Sequence, residues 1–211
     1  MRKWFFKKIF NTKFNLGFGT PATDTCSYCL QMKHKLSTVN GNEKNRILAE
    51  LGAHKLRAKT FHRLMREKLA NSTSFCFDLQ QVQPLPKLSI NEAYYSRQIG
   101  YYAFCITDVE NKNPQFYVWT ENEAGRGSIE VSSALCDFLE KLEFSPQTDN
   151  LRLFADGCGG QNKNVHIVHA LACYLRLKRI TLFFPVRGHS FLPAARVFGV
   201  IEKSFGSIQK L

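Results

Sequence analysis

Leu151-Arg152-Leu153-Phe154-Ala155-Asp156-Gly157-Cys158-Gly159-Gly160-Gln161-Asn162-Lys163-Asn164 is a short apolar run that ends in one acid and opens into a glycine-rich turn. An amphipathic segment from Val165 to Leu177 follows. Strand, acid, turn and helix in that order place Asp156 at the carboxyl edge of a sheet, where α/β proteins build their sites. A plain helix-capping aspartate in a tight turn is the competing explanation of the same residues.

Composition bounds what the rest of the chain can be. With 211 residues, 44% of them hydrophobic, the protein can bury a core and hold one ordinary domain with a small appendage. The net charge of +12 is uneven: residues 1–70 carry 15 Lys/Arg against 4 Asp/Glu, and residues 71–211 carry 14 against 13. A basic surplus confined to the first third points to a polyanion partner held by that third. The aromatic and basic stretch from Met1 to Phe18 has no apolar run long enough for a signal peptide or a membrane span, which leaves a membrane-surface helix or transit peptide as the minor alternative. Of seven cysteines, Cys26 and Cys29 alone have metal-ligand spacing, whereas Cys76, Cys105, Cys136 and Cys173 sit in apolar runs and read as core thiols of a reducing compartment.

Two thiolates in a Cys-x-x-Cys knuckle can share a tetrahedral Zn²⁺ that needs two more ligands. Downstream, a helix is expected from Glu43 to Ala70, with Ile47, Leu51, His54, Ala58, Phe61 and Met65 on its apolar face, and His54 is the expected third ligand. Phe75 to Gln80 forms a strand carrying Asp78, followed by the extended Pro84-Leu85-Pro86. Tyr94 to Asp108 and Gln115 to Glu121 pair as a hairpin around the turn at residues 110–114. Gly125-Arg126-Gly127-Ser128 opens a helix with Ser128 as N-cap, Glu130 on the first turn, and Val131, Leu135, Phe138, Leu139 and Leu142 buried. After the Asp156 strand and its helix come a strand from Arg179 to Val186 and a helix from Ala194 to Phe205.

The element order β, β, β, α, β, α, β, α, with acids on the first and fourth strands and the first helix, resembles the ribonuclease H-like fold of transposases, integrases and nucleases. The fold class is therefore α/β: a ribonuclease H-like mixed sheet flanked by helices over residues 73–211, with a basic, zinc-binding helical module over residues 1–72. A closer resemblance rests on several runs. These are Phe14 to Phe18 with Asp24 to Cys29, Gly125 to Glu130, Asp156 to Asn164, Gly188 to Pro193, and Phe198 to Lys203. Together they are similar to a family of transposon-derived domains in animal genomes marked by Asp-x-Cys-Gly-Gly-Gln-Asn-Lys-Asn.

What the resemblance implies is a DDE-type, metal-dependent cleavage or strand transfer at nucleic-acid phosphodiesters. Asp78, Glu130 and Asp156 would be catalytic, and Asp78 and Asp156 would hold Mg²⁺ or Mn²⁺, since two such ions stabilise the attacking and leaving oxygens. His189 is a candidate metal ligand or proton carrier beside the last helix. The family pattern continues past Gly-His-Ser-Phe with Pro, one residue, then Asp-Arg, whereas here Ala195 precedes Arg196. Ala195 thus stands where the fold supplies its last acid, which argues for an inactive site. Glu202 lies two helical turns on, about 10 Å along the axis, and is a candidate catalytic acid in its place only if the helix is shifted. Arg2, Lys3, Lys7, Lys8, Lys13, Lys163 and Arg196 are the expected nucleic-acid contacts. The expected partner is DNA, with homo-oligomerisation allowed for, and the expected compartment is the nucleus. A non-catalytic nucleic-acid or protein-binding module is the alternative; a phosphate-cradling metabolic enzyme fits less well, because Gly157, Gly159 and Gly160 match no dinucleotide or P-loop spacing.

Overall fold

The computed structural model describes residues 3–13, 25–86, 95–174 and 177–208. The elements run α1 (Lys3–Lys13), α2 (Ser27–Thr38), α3 (Gly41–Arg66), β1 (Ser72–Leu79), β2 (Gln83–Leu85), β3 (Ile99–Asp108) and β4 (Pro114–Thr120). They continue with α4 (Ser128–Lys141), β5 (Asn150–Ala155), α5 (Val165–Ala172), β6 (Arg179–Phe183) and α6 (Pro193–Ile208). No described helix is long and apolar enough to cross a membrane.

The strands form one six-stranded mixed sheet. Central β1 pairs antiparallel with β3, and β3 with β4, while β5 is parallel to β1 and β6 parallel to β5. Short β2, separated from β1 by the irregular residues 80–82, pairs with the start of β3, from Ile99 to Tyr101. In the β1–β5 ladder Phe77 stands opposite Ala155, so the next residues, Asp78, still paired with Cys105 of β3, and Asp156, just past β5, follow side by side at the end of that ladder.

Side-chain alternation divides the sheet between two cores. On one face Phe75, Phe77 and Leu79 of β1 and Leu151, Leu153 and Ala155 of β5 pack against α4 and α5. On the other, Cys76, Cys105 and Phe154 pack against Phe61 and Met65 of α3 and Ala194 and Phe198 of α6. Asp78 shares parity with Cys76, and Asp156 with Phe154, so both acids belong to the α3/α6 side. Arg152 on that side is 5% exposed. Its guanidinium donates to the carbonyls of Leu64 (2.7 Å) and Glu67 (2.8 Å) and lies over the rings of Phe154 and Phe183. A buried cation on the last carbonyls of α3 satisfies groups that a helix leaves unpaired, and it fixes that helix on the sheet.

Several local expectations are corrected. Gly127, not Ser128, is the N-cap of α4. The α5 helix ends at Ala172, and Cys173 behind it is exposed and not a core thiol. The helix α2 directly after Cys26 had no counterpart in the sequence pattern. Arg2 and residues 14–24, including the Phe14 to Phe18 run, lie outside the described residues.

Candidate metal centre and acidic sheet edge

Four side chains meet where α2, α3 and the loop before α6 come together. The Cys26 and Cys29 sulfurs, the His54 imidazole of α3 and the His189 imidazole lie with all ligand atoms within 4.8 Å of one another. Cys26 Sγ is 3.4 Å from His54 Nε2, and Cys29 Sγ is 3.4 Å from His189 Nε2. A tetrahedral zinc with Zn–S of about 2.3 Å and Zn–N of about 2.05 Å separates S and N by about 3.6 Å. The thiol and imidazole spacing therefore matches the edges of such a tetrahedron, and this Cys2His2 group can bind zinc. Burial, then the nearby His189 and Arg57 charges, lowers the pKa of His54, which favours the neutral imidazole that a metal requires.

The surroundings hold these ligands in place. Tyr28 stacks on His54 with ring centroids 4.6 Å apart, and His62 Nε2 is 3.1 Å from the backbone carbonyl of His189. The Cys26 thiol donates to the Arg187 carbonyl at 3.4 Å. Between them Gly188 adopts φ +78°, and a Cβ there would come within 2.9 Å of Cys26 Cα and Cβ. Only glycine combines that backbone with so close an approach. His54 thus joins the two thiols, and His189 proves to be part of this cluster. The ligands come from both sides of residue 72.

The second feature is the edge where Asp78 and Asp156 emerge. Burial, and next the Asp156 charge, pushes the Asp78 carboxyl up to about 7, against a smaller opposing effect of a backbone hydrogen bond and of Arg126. Asp156 accepts from Asn162 Nδ2 and from the Cys158 backbone N–H at 3.3 Å. It does not cap α5; that role falls to Asn164, whose side chain accepts from Ile167 N–H at 3.1 Å. Asn162 is 1% exposed, and its Oδ1 has no partner among the described residues. The buried Asp78 carboxyl, the Asp156 carboxylate beside it and the orphaned amide oxygen of Asn162 are all oxygen donors, the ligand type that hard divalent cations take.

Other predicted acids are placed differently. Glu130 accepts from the backbone N–H of Gly125 (3.0 Å) and Gly127 (2.9 Å), closing the first turn of α4 on the opposite face of the sheet. Glu202 accepts from Gln80 Nε2 at 2.9 Å, just beyond β1, while Arg126 donates to the Gln80 carbonyl at 3.0 Å. Among the described residues no third carboxylate joins Asp78 and Asp156 within the spacing that defines the Cys2His2 group. Ala195 lines a cleft with Thr25, Gly188, Ser190 and Phe191 beside the metal cluster, so the acid that α6 carries toward β1 is Glu202. Gln80, Arg126 and Asn162 were not singled out by sequence, although Arg126 and Asn162 stand inside the quoted motifs.

Of the expected nucleic-acid contacts, Lys8 and Lys13 are exposed on α1, and Lys163 and Arg196 are exposed too. The Lys163 ammonium lies 5.6 Å from the Phe184 ring centroid. Lys3 and Lys7 fall within α1, but their side chains lie outside the described residues.

No protein-family model and no curated protein matches the chain. Among solved structures it is similar to a chain of the cryo-EM structure titled simian T-cell lymphotropic virus intasome in complex with PP2A regulatory subunit B56 gamma. The TM-score is 0.39 and the identity 12%, over 84% of this chain and 56% of that one. The chain thus spans little more than half the length of that neighbour.

Purified protein should carry one zinc per chain by elemental analysis, and His189→Ala or Cys29→Ser should lose it. Gly188→Ala should also lose metal, by forcing the loop away from Cys26. Full zinc occupancy in His189→Ala would contradict the assignment.

The Asp78 carboxyl is raised from an unfolded value near 3.8 to about 7. Folded protein therefore binds an extra proton across that window, and in the absence of divalent cation its stability falls as pH rises through it. In thermal melts the stability of Asp78→Asn relative to the parent should grow between pH values of roughly 4 and 7 and then level off. Saturating Mn²⁺ should cancel the gain. A pH-independent difference would contradict the raised Asp78 carboxyl.

Proposed function

We propose that this chain is a transposase-like, ribonuclease H-like domain acting on nucleic-acid phosphodiesters, with Asp78 and Asp156 as the seat of a divalent cation. The observation that carries the proposal is the pairing of these two acids at the carboxyl ends of adjacent parallel strands, one of them pushed to about 7 by burial and by the other's charge. The sheet order β4, β3, β1, β5, β6, with three antiparallel strands first and helices after β4 and β5, supports the fold assignment. The cation supplies Lewis acidity and a lowered pKa for a bound water.

The chain's own residues bind and orient. Asn162 aims the Asp156 carboxylate, Arg126 offsets the negative charge at Asp78, and Gln80 links Glu202 to this edge. Lys8, Lys13, Lys163 and Arg196 are proposed to hold the phosphate backbone, with DNA as the partner. The Cys2His2 group serves as a structural zinc site, its four protein ligands leaving no open position for chemistry. Because Glu130 is engaged at its helix start, one ion is held more strongly than a second, and cleavage is weak. That same engagement favours the second possibility, a non-catalytic nucleic-acid-binding module.

Calorimetric titration with Mn²⁺ should show one site of appreciable affinity that Asp156→Asn abolishes and Glu202→Gln weakens several-fold. Ala195→Asp should leave it unchanged. Slow nicking of supercoiled plasmid in Mn²⁺, absent in Asp156→Asn, identifies an enzyme. Metal binding without nicking identifies the binding module, and no Mn²⁺ binding at all refutes both the site and the proposal.

A further inference from the structure

Lys59, Arg63 and Arg66 line one exposed cleft of about 660 Å³ with His62 and Glu67. Their spacing along α3 puts three like charges on one side of the helix, an arrangement that weakens a helix unless an anion offsets it. None of the three has an ion-pair partner among the described residues, and the one acid in the cleft, Glu67, lies 3.7 Å from buried Arg152.

At the end of this cleft the His62 ring lies 6.3 Å from that of Phe191. Phe191 is 49% exposed and adopts φ +39°, a left-handed conformation that a bulky aromatic rarely takes. Exposed aromatics are common singly, but a strained one needs a cause. Neighbouring residues impose the strain: Leu192 is buried at 1% exposure, Pro193 begins α6, and the His189 carbonyl is tied to His62. The ring is thereby held outward, on the wall of a second cleft with Thr25, Ser190 and Ala195. A rigid, exposed aromatic face next to unpaired cations has the chemistry of a base-stacking platform with phosphate clamps.

We propose that α3 and the Phe191 loop bind a single-stranded segment of nucleic acid, a base stacking on Phe191 while Lys59, Arg63 and Arg66 hold the flanking phosphates. An unpaired strand is favoured over a duplex because the ring can stack only on a base that is not already stacked. This rests on the nucleic-acid reading of the chain but not on cleavage or on the Asp78–Asp156 pair.

The test is anisotropy of a short labelled oligothymidylate with no added Mg²⁺ or Mn²⁺, beside a duplex of equal length and inorganic polyphosphate. Phe191→Gly removes the ring while suiting the left-handed backbone, so the variant should keep its zinc and its fold. Its affinity for the single strand should fall roughly five- to a hundred-fold, the effect of one lost stacked base, with duplex and polyphosphate binding unchanged. Phe191→Tyr should bind as the parent does. Arg63→Gln and Arg66→Gln should each flatten the log–log salt dependence by about 0.7. Single-strand affinity in Phe191→Gly within twofold of the parent, or an equal loss for polyphosphate, overturns the proposal. Lost nicking with intact oligonucleotide binding would bear on the proposed function alone.

Discussion

The lateral pairing of β1 with β5 is the constraint on which the candidate acidic site depends. Its parallel register carries Asp78 and Asp156 to one edge of the sheet, and its alternation turns both toward the face covered by α3 and α6. Side chains on that face exclude water, which is why Asp78 keeps its proton to about pH 7 and why Cys76 and Cys105 beside it are pushed to about 12. Ionising the buried Asp78 carboxyl beside a second acid costs stability, and a cation at that edge would relieve the cost. This is the ground on which the edge is proposed as a cation-binding site and not as a fold-stabilising feature.

The Cys2His2 group acts on a different scale. Cys29 and His189 are separated by 160 positions in the chain, so one metal would close a loop containing most of the domain. Such long closures restrict the unfolded chain most strongly. The same ligation would fix the loop at 187–192, and through it the start of α6 and the exposed ring of Phe191. Gly188 makes this possible at a point where any side chain would strike Cys26.

Much of this was legible in the sequence. The acid after an apolar run, the glycine-rich turn and the following helix are all present, and His54 on α3 was identifiable because it follows the helical period that also buries Ile47, Leu51 and Phe61. Periodicity could not reveal which distant loop completes a metal set, since His189 reaches Cys29 through tertiary packing alone. Nor could it reveal competition for a carboxylate. Glu130 is taken by two backbone N–H groups of its own turn, and Ala195 faces a cleft beside the metal cluster because α6 directs Glu202, two turns later, at Gln80. The Cys26 to Thr38 segment hid α2 because Met32 is its one buried helical side chain, which leaves no apolar stripe to read.

Anomalous diffraction from crystals soaked in Mn²⁺ tests the central claim most directly, because it locates each metal without reference to activity. The structure predicts a zinc peak enclosed by Cys26, Cys29, His54 and His189, and a separate manganese peak between Asp78 and Asp156 within reach of Asn162. A manganese peak elsewhere, or none at that edge while zinc is present at its own site, would contradict the assignment of the acid pair as the metal-binding centre.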